Sequence, residues 1–107
     1  MDLTFDVDRR GDDTVIVVSG ELDLQTAPAL RERVDSLVAD GSRSIVLDLA
    51  GVSFLDSSGL GALLGIRREI TSAGGTLALL DLQPSVRKIF AITRMESAFE
   101  IRSSEES

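Results

Sequence analysis

The segment Asp56-Ser57-Ser58-Gly59-Leu60-Gly61 sets one carboxylate, two hydroxyls and two glycines between an apolar strand-like run and an apolar-striped helical stretch. Those residue types suit two kinds of chemistry. Asp and Ser accept hydrogen bonds from the free N–H groups of a helix N-terminus, so the segment can act as a cap. A helix start also favours negative charge, so the segment suits an anion site or a modified Ser as well. One capping side chain does not account for two serines, and the spacing leaves a pure cap, an anion site and a modified Ser all open. Upstream, Gly20-Glu21-Leu22-Asp23 closes another apolar run. Asp23 there either makes local turn bonds or joins Asp56 in an acidic rim beside Ser57. Gly61 and Gly65 fall four apart on one helical face and let a second surface approach the backbone, either the sheet beneath or a partner.

The chain limits what else such a site can be. Cys and His are both absent, which removes disulfides, thiol nucleophiles, imidazole bases and most transition-metal ligand sets. The Gly-x-x-x-x-Gly-Lys-Ser/Thr loop and the Asp-x-Asp-x-Asp loop are missing too, so a Mg²⁺-assisted phosphoryl transfer finds neither a cradle nor a general base. No enzyme activity, cofactor or metal is expected. The 107 residues carry 18 acids and 11 bases, a net charge of −7, and seven of the acids lie in residues 1–25. Nucleic acid is therefore a poor partner, the more so without Tyr or Trp for base stacking. No signal peptide opens the sequence and no apolar run approaches the ~20 residues that span a bilayer, so a cytoplasmic protein without membrane contact is expected.

The elements that must hold the site follow from periodicity. Leu3, Phe5 and Val7 alternate with polar residues and lead through Gly11-Asp12-Asp13 into Val15-Ile16-Val17-Val18, an edge hairpin whose second arm is apolar on both faces. Thr26 stands as an N-cap with Pro28 in the first turn. Leu30, Val34, Leu37 and Val38 then stripe a helix near 27–40. Ile45 to Leu49 reads as a buried strand. Leu60, Leu63, Leu64 and Ile70 stripe a second helix near 58–73, and Ser58 is expected to spend its hydroxyl capping it. Thr76 to Leu82 forms a strand, Pro84 opens a helix near 84–93, and Ala98 to Ile101 is a short last strand. This order predicts one α/β domain over 1–102: a mixed, mainly parallel sheet of four or five strands with an edge hairpin and helices packed on it. Residues 103–107 read as a disordered tail. Ligands of such sheets meet the loops after the strands' carboxyl ends, here around Glu21 to Gln25 and Ala50 to Ser58.

Taken together, Gly20-Glu21-Leu22-Asp23, Thr26, Leu30, Ile45 to Leu49, Asp56 to Gly61, Gly74-Gly75 and Val86 through Ile89-Phe90 resemble the STAS domain family, specifically the bacterial anti-sigma factor antagonists. The resemblance spans about residues 3–101. It implies a switch that binds an anti-sigma factor, a serine kinase of the histidine-kinase-like ATPase fold, and so frees a sigma factor. It also implies that this kinase phosphorylates Ser57, with Ser58 the secondary candidate, and that a metal-dependent serine phosphatase reverses the modification. The partner surface it implies comprises Asp23, Asp56, Ser57, Ser58, Gly59 and Gly61. Within the same fold, the alternative is an adapter for another ATPase, in lipid transport or a stress complex, whose Ser57 is never modified. Two features depart from the pattern: Arg94-Met95 replaces the usual Gly-Leu after the third helix, and the sequence stops where many relatives add a final helix.

Overall fold

Alternation along Leu3, Phe5 and Val7 and the apolar run 15–18 build an antiparallel hairpin, β1 (Leu3–Arg10) and β2 (Asp13–Leu22), in the computed structural model, which describes residues 2–104. Helices and strands then alternate as α1 (Ala27–Ala39), β3 (Ser44–Leu55), α2 (Ser57–Ser72), β4 (Thr76–Leu80), α3 (Pro84–Ile92), a 3-10 turn over Glu96–Ala98 and β5 (Glu100–Arg102). The sheet has five strands in the order β1-β2-β3-β4-β5, with the first pair antiparallel and the other three pairs parallel. The last strand begins at Glu100 and not at Ala98, because Ala98 N–H closes the 3-10 turn on the Met95 carbonyl.

All three helices pack into one core on one face of the sheet. Leu30 and Val34 of α1, Leu63, Ile66 and Ile70 of α2, and Val86 and Phe90 of α3 meet Ile16, Val18, Leu47, Leu49 and Leu79. Each such side chain contributes about 1.5–3 kcal/mol by leaving water. Leu64, expected in this stripe, is only half-buried, and Ile66 takes the fully buried place. The spacing 59, 63, 66, 70 centres the stripe, and residue 64 falls on its shoulder. On the opposite face, Asp8, Val15, Val46, Ala78 and Glu100 form one registered row across all five strands. Its apolar centre is a second, small cluster that no helix residue joins. Arg10 pairs with Asp8 and Arg102 with Glu100 at the two rims of this face.

Arg94 follows α3 with φ 59°, and Met95 N–H donates to the Phe90 carbonyl at 2.8 Å, the closing bond of a left-handed helix end. A glycine would adopt that conformation freely, whereas an L side chain costs about 1–2 kcal/mol. Of the expected tail, Ser104 donates from its backbone N–H and its hydroxyl to the Asp81 carboxylate. Residues 105–107 lie outside the described residues.

Candidate functional site

Two loops leave adjacent parallel strands at the same end of the sheet. Leu22 pairs with Leu55 at the ends of β2 and β3, so the turns into α1 and α2 start side by side. The approach is closest at Gly59, where an added Cβ would sit 2.4 Å from the Leu22 carbonyl oxygen. Gly59 is buried, and it shapes the site from beneath instead of presenting surface to a partner.

In the first loop, Asp23 builds the turn. Its Oδ1 accepts from Gln25 N–H at 2.9 Å and Thr26 N–H at 3.0 Å, and the Thr26 hydroxyl donates to the Glu21 carbonyl at 2.7 Å. The hydrogen bond from the Thr26 N–H, foremost, holds the Asp23 carboxyl below its ordinary range. Thr26 occupies the N-cap position expected of it, but its hydroxyl makes no cap bond to the helix, because it is spent on Glu21 and Asp23. The loop leaves Leu24 with 74% of its surface exposed.

In the second loop, Asp56 is the cap of α2, with Oδ1 accepting from Gly59 N–H at 2.9 Å. That corrects the expectation for Ser58: Asp56 already holds the N–H within reach, and the Ser58 hydroxyl has no hydrogen-bond partner among the described residues. Ser57, the first residue of α2, is exposed, and its hydroxyl too is unbonded among the described residues. The N–H groups of the helix's first turn lie directly beneath it.

Between the loops runs a groove of about 320 Å³, lined by Leu24, Ala27, Pro28, Arg31, Ser58, Gly61 and Ala62. It is mostly apolar, with Ser58 and Arg31 the polar residues of its lining. A Cβ on Gly61 would meet no atom within 4 Å, so its face is open to an incoming surface. Gly65 is different. Its space holds the Arg31 guanidinium, whose Cζ would lie 3.1 Å from an added Cβ, and Arg31 pairs onward with Glu69. The structure thus brings together Asp23, Asp56, Ser57, Ser58 and Gly61 on one surface. Leu24, Pro28 and Arg31 belong to it as well and escape a reading by motif. Leu24 leaves a trace, as a large apolar residue inside an acidic loop and outside any periodic stripe. Among the described residues no group of three or more acidic side chains converges to hold a metal ion.

The sequence matches the STAS domain over residues 4–107. It is 31% identical to the anti-sigma-B factor antagonist of Bacillus subtilis (strain 168) over 106 residues, covering 99% of this chain and 96% of the relative. An anti-sigma factor antagonist from Mycobacterium paratuberculosis shares the fold at a TM-score of 0.83 with 31% identity, over 94% of this chain and 86% of that one. The Bacillus cell fate determinant SpoIIAA, solved in its phosphorylated form, matches with a TM-score of 0.70 and 28% identity, over 96% of this chain and 95% of that one.

Proposed function

The chain belongs to the STAS domain family, and from that membership we propose that it is an anti-sigma factor antagonist switched by phosphorylation of Ser57. In its unmodified form it binds an anti-sigma factor, a serine kinase of the histidine-kinase-like ATPase fold, through the surface around Leu24, Pro28, Ser57 and Gly61, and the sigma factor is released. The observation that carries this reading is Ser57 itself. An exposed hydroxyl without a partner stands on the first turn of α2, and Asp56 relieves it of any capping duty.

In the switching step the Ser57 Oγ–P bond forms as the β–γ phosphoanhydride of ATP breaks, ADP leaves, and the hydroxyl proton passes to a base of the kinase. The domain tolerates the product. A phosphoserine brings about −1.5 to −2 charges to the positive end of α2, where first-turn N–H groups and the dipole offset part of it. An interface does not tolerate it, since a dianion must be desolvated there against Asp23 and Asp56. A metal-dependent serine phosphatase restores the binding form. The same likeness supports a regulatory binding protein, not an enzyme, as the role of this chain.

Phosphopeptide mapping tests the assignment after incubation with the anti-sigma kinase and Mg-ATP. Phosphate on Ser57, abolished in Ser57→Ala and retained in Ser58→Ala, is the expected result. Phosphate chiefly on Ser58, or none, would refute it.

A further inference from the structure

Glu69 carries a buried oxygen without a donor. Its Oε1 accepts from the Arg31 Nη2, but its Oε2 is buried and meets no hydrogen-bond donor among the described residues. Such an acceptor costs free energy until a donor reaches it. Helices α1 and α2 follow adjacent parallel strands on one face of the sheet, so they run side by side in the same direction. Arg31 lies over Gly65, where an added Cβ would stand 3.1 Å from the guanidinium carbon. One turn further along each helix, Asp35 of α1 comes level with Glu69 of α2. The two carboxyl groups are within hydrogen-bonding reach of each other.

Two carboxylates cannot bond each other, because each only accepts. One proton changes that. A carboxylic acid on Asp35 donates to the orphan Oε2 while Arg31 stays on Oε1, and both oxygens of Glu69 are then satisfied. The other charged groups facing the pair are Arg31 and Glu32, both on α1. On α2 the neighbours of Glu69 one turn away are Gly65, Ile66, Ser72 and Ala73, none of them charged. One cation therefore serves two carboxyl groups. The hydrogen bond with Glu69, and then burial, raise the Asp35 carboxyl above its ordinary range, whereas the bonds from Asp35 and then Arg31 lower that of Glu69. We propose that Asp35 and Glu69 hold one proton between them, and that this proton latches α1 to α2 beside the Ser58 groove. Arg31 carries the effect to the groove, which it lines. With the proton in place, Arg31 has one anionic partner. Without it, Asp35 becomes a second carboxylate one turn along α1 and competes with Glu69 for the same guanidinium. Asp35 adds stability in full below its unfolded value and loses it as the pH rises through the folded one. Glu69 adds stability above its unfolded value and loses it as the pH falls through the folded one. The latch is tightest between the two folded values and slackens toward neutral pH.

Carbon-detected NMR of the full chain tests the proposal by following the Asp35 and Glu69 carboxyl carbons from neutral pH into strong acid. Both carbons should move in the same two steps, one above and one below the ordinary carboxylate range. The Gly65 amide and the Arg31 Nε–H should move with the upper step. Asp35→Asn gives Oε2 a permanent amide donor. Glu69 should then titrate in one step, and the Gly65 amide should no longer respond at the former upper step. The urea midpoint of this variant should exceed that of the wild type at neutral pH, and the gap should close as the wild type takes up its own proton. Glu69→Gln is a second, independent variant, in which Asp35 should return to one step no higher than its ordinary range. Glu32→Gln removes a charge from α1 without offering a donor to Oε2, and it should leave both steps in place. Any of several results would overturn the proposal: single, ordinary titrations of Asp35 and Glu69, a Gly65 amide that ignores the upper step, or Asp35→Asn no more stable than the wild type at neutral pH. So would an equal gain in Glu32→Gln.

Discussion

Gly59→Ala and Gly61→Ala should move stability in opposite directions although the two positions are two residues apart on one helix. At Gly59 the new Cβ would stand 2.4 Å from the Leu22 carbonyl oxygen and 3.1 Å from its carbon. That is more than 1 Å inside normal contact, and both obstacles are backbone of β2. The first turn of α2 must lift off the strand, an overpacking cost of about 1–3 kcal/mol. The better helix propensity of Ala returns up to about 1 kcal/mol, leaving the variant less stable by up to about 2 kcal/mol. At Gly61 no atom lies within 4 Å, so only the propensity remains and the variant gains about 0.5–1 kcal/mol. Urea unfolding reads both values as shifts in midpoint at unchanged slope. The same Gly61 methyl projects from the groove wall, so the more stable variant should bind the anti-sigma factor less tightly. A Gly59→Ala protein as stable as the wild type, or a Gly61→Ala protein that is less stable, would refute the reasoning.

Capping should separate by mutation as well: Asp56→Ala loses about 1 kcal/mol, whereas Ser58→Ala stays within about 0.5 kcal/mol of the wild type in the same unfolding assay. Arg94→Gly should stabilise the domain by about 0.5–1 kcal/mol, because glycine relieves the left-handed backbone and returns part of that gain as unfolded-state entropy; a loss would deny the strain. Ile66→Ala should cost about 2–5 kcal/mol as a core cavity, and Leu64→Ala clearly less. Asp23 has a folded-state pKa below its unfolded value, so its hydrogen bonds add stability above the ordinary carboxylate range, and that contribution is lost as the pH falls through the folded value. Asp23→Asn keeps the acceptor oxygen and should therefore unfold with a flatter pH dependence on the acid side, measured by denaturant midpoints from neutral pH downward.

Where apolar spacing was regular, the chain was legible. The hairpin, the three helices and the mainly parallel order followed from periods of two and 3.6, and observed helix ends lie within one residue of those expected. What spacing could not resolve was competition among neighbouring polar groups. Three adjacent capping residues at 56–58 offer one role to several side chains, and backbone geometry alone gives it to Asp56. Thr26 likewise stood in the right place and made a different bond, because the Glu21 carbonyl lay within reach of its hydroxyl. Leu64 was misplaced for a related reason: a stripe drawn from apolar letters does not show where its centre falls. The groove was hidden for want of a pattern, since Leu24, Pro28 and Arg31 meet Ser58 and Gly61 only after the two strands pair.

The affinity of the anti-sigma factor for this protein in its unmodified form and after stoichiometric phosphorylation at Ser57 tests the central claim most directly. Titration calorimetry on both forms, with the fold of each checked by heteronuclear NMR, should show dissociation constants at least about 100-fold apart, the measure of a desolvated like-charge contact of several kcal/mol. The phosphorylated domain should remain folded. Equal affinities for the two forms would contradict the account.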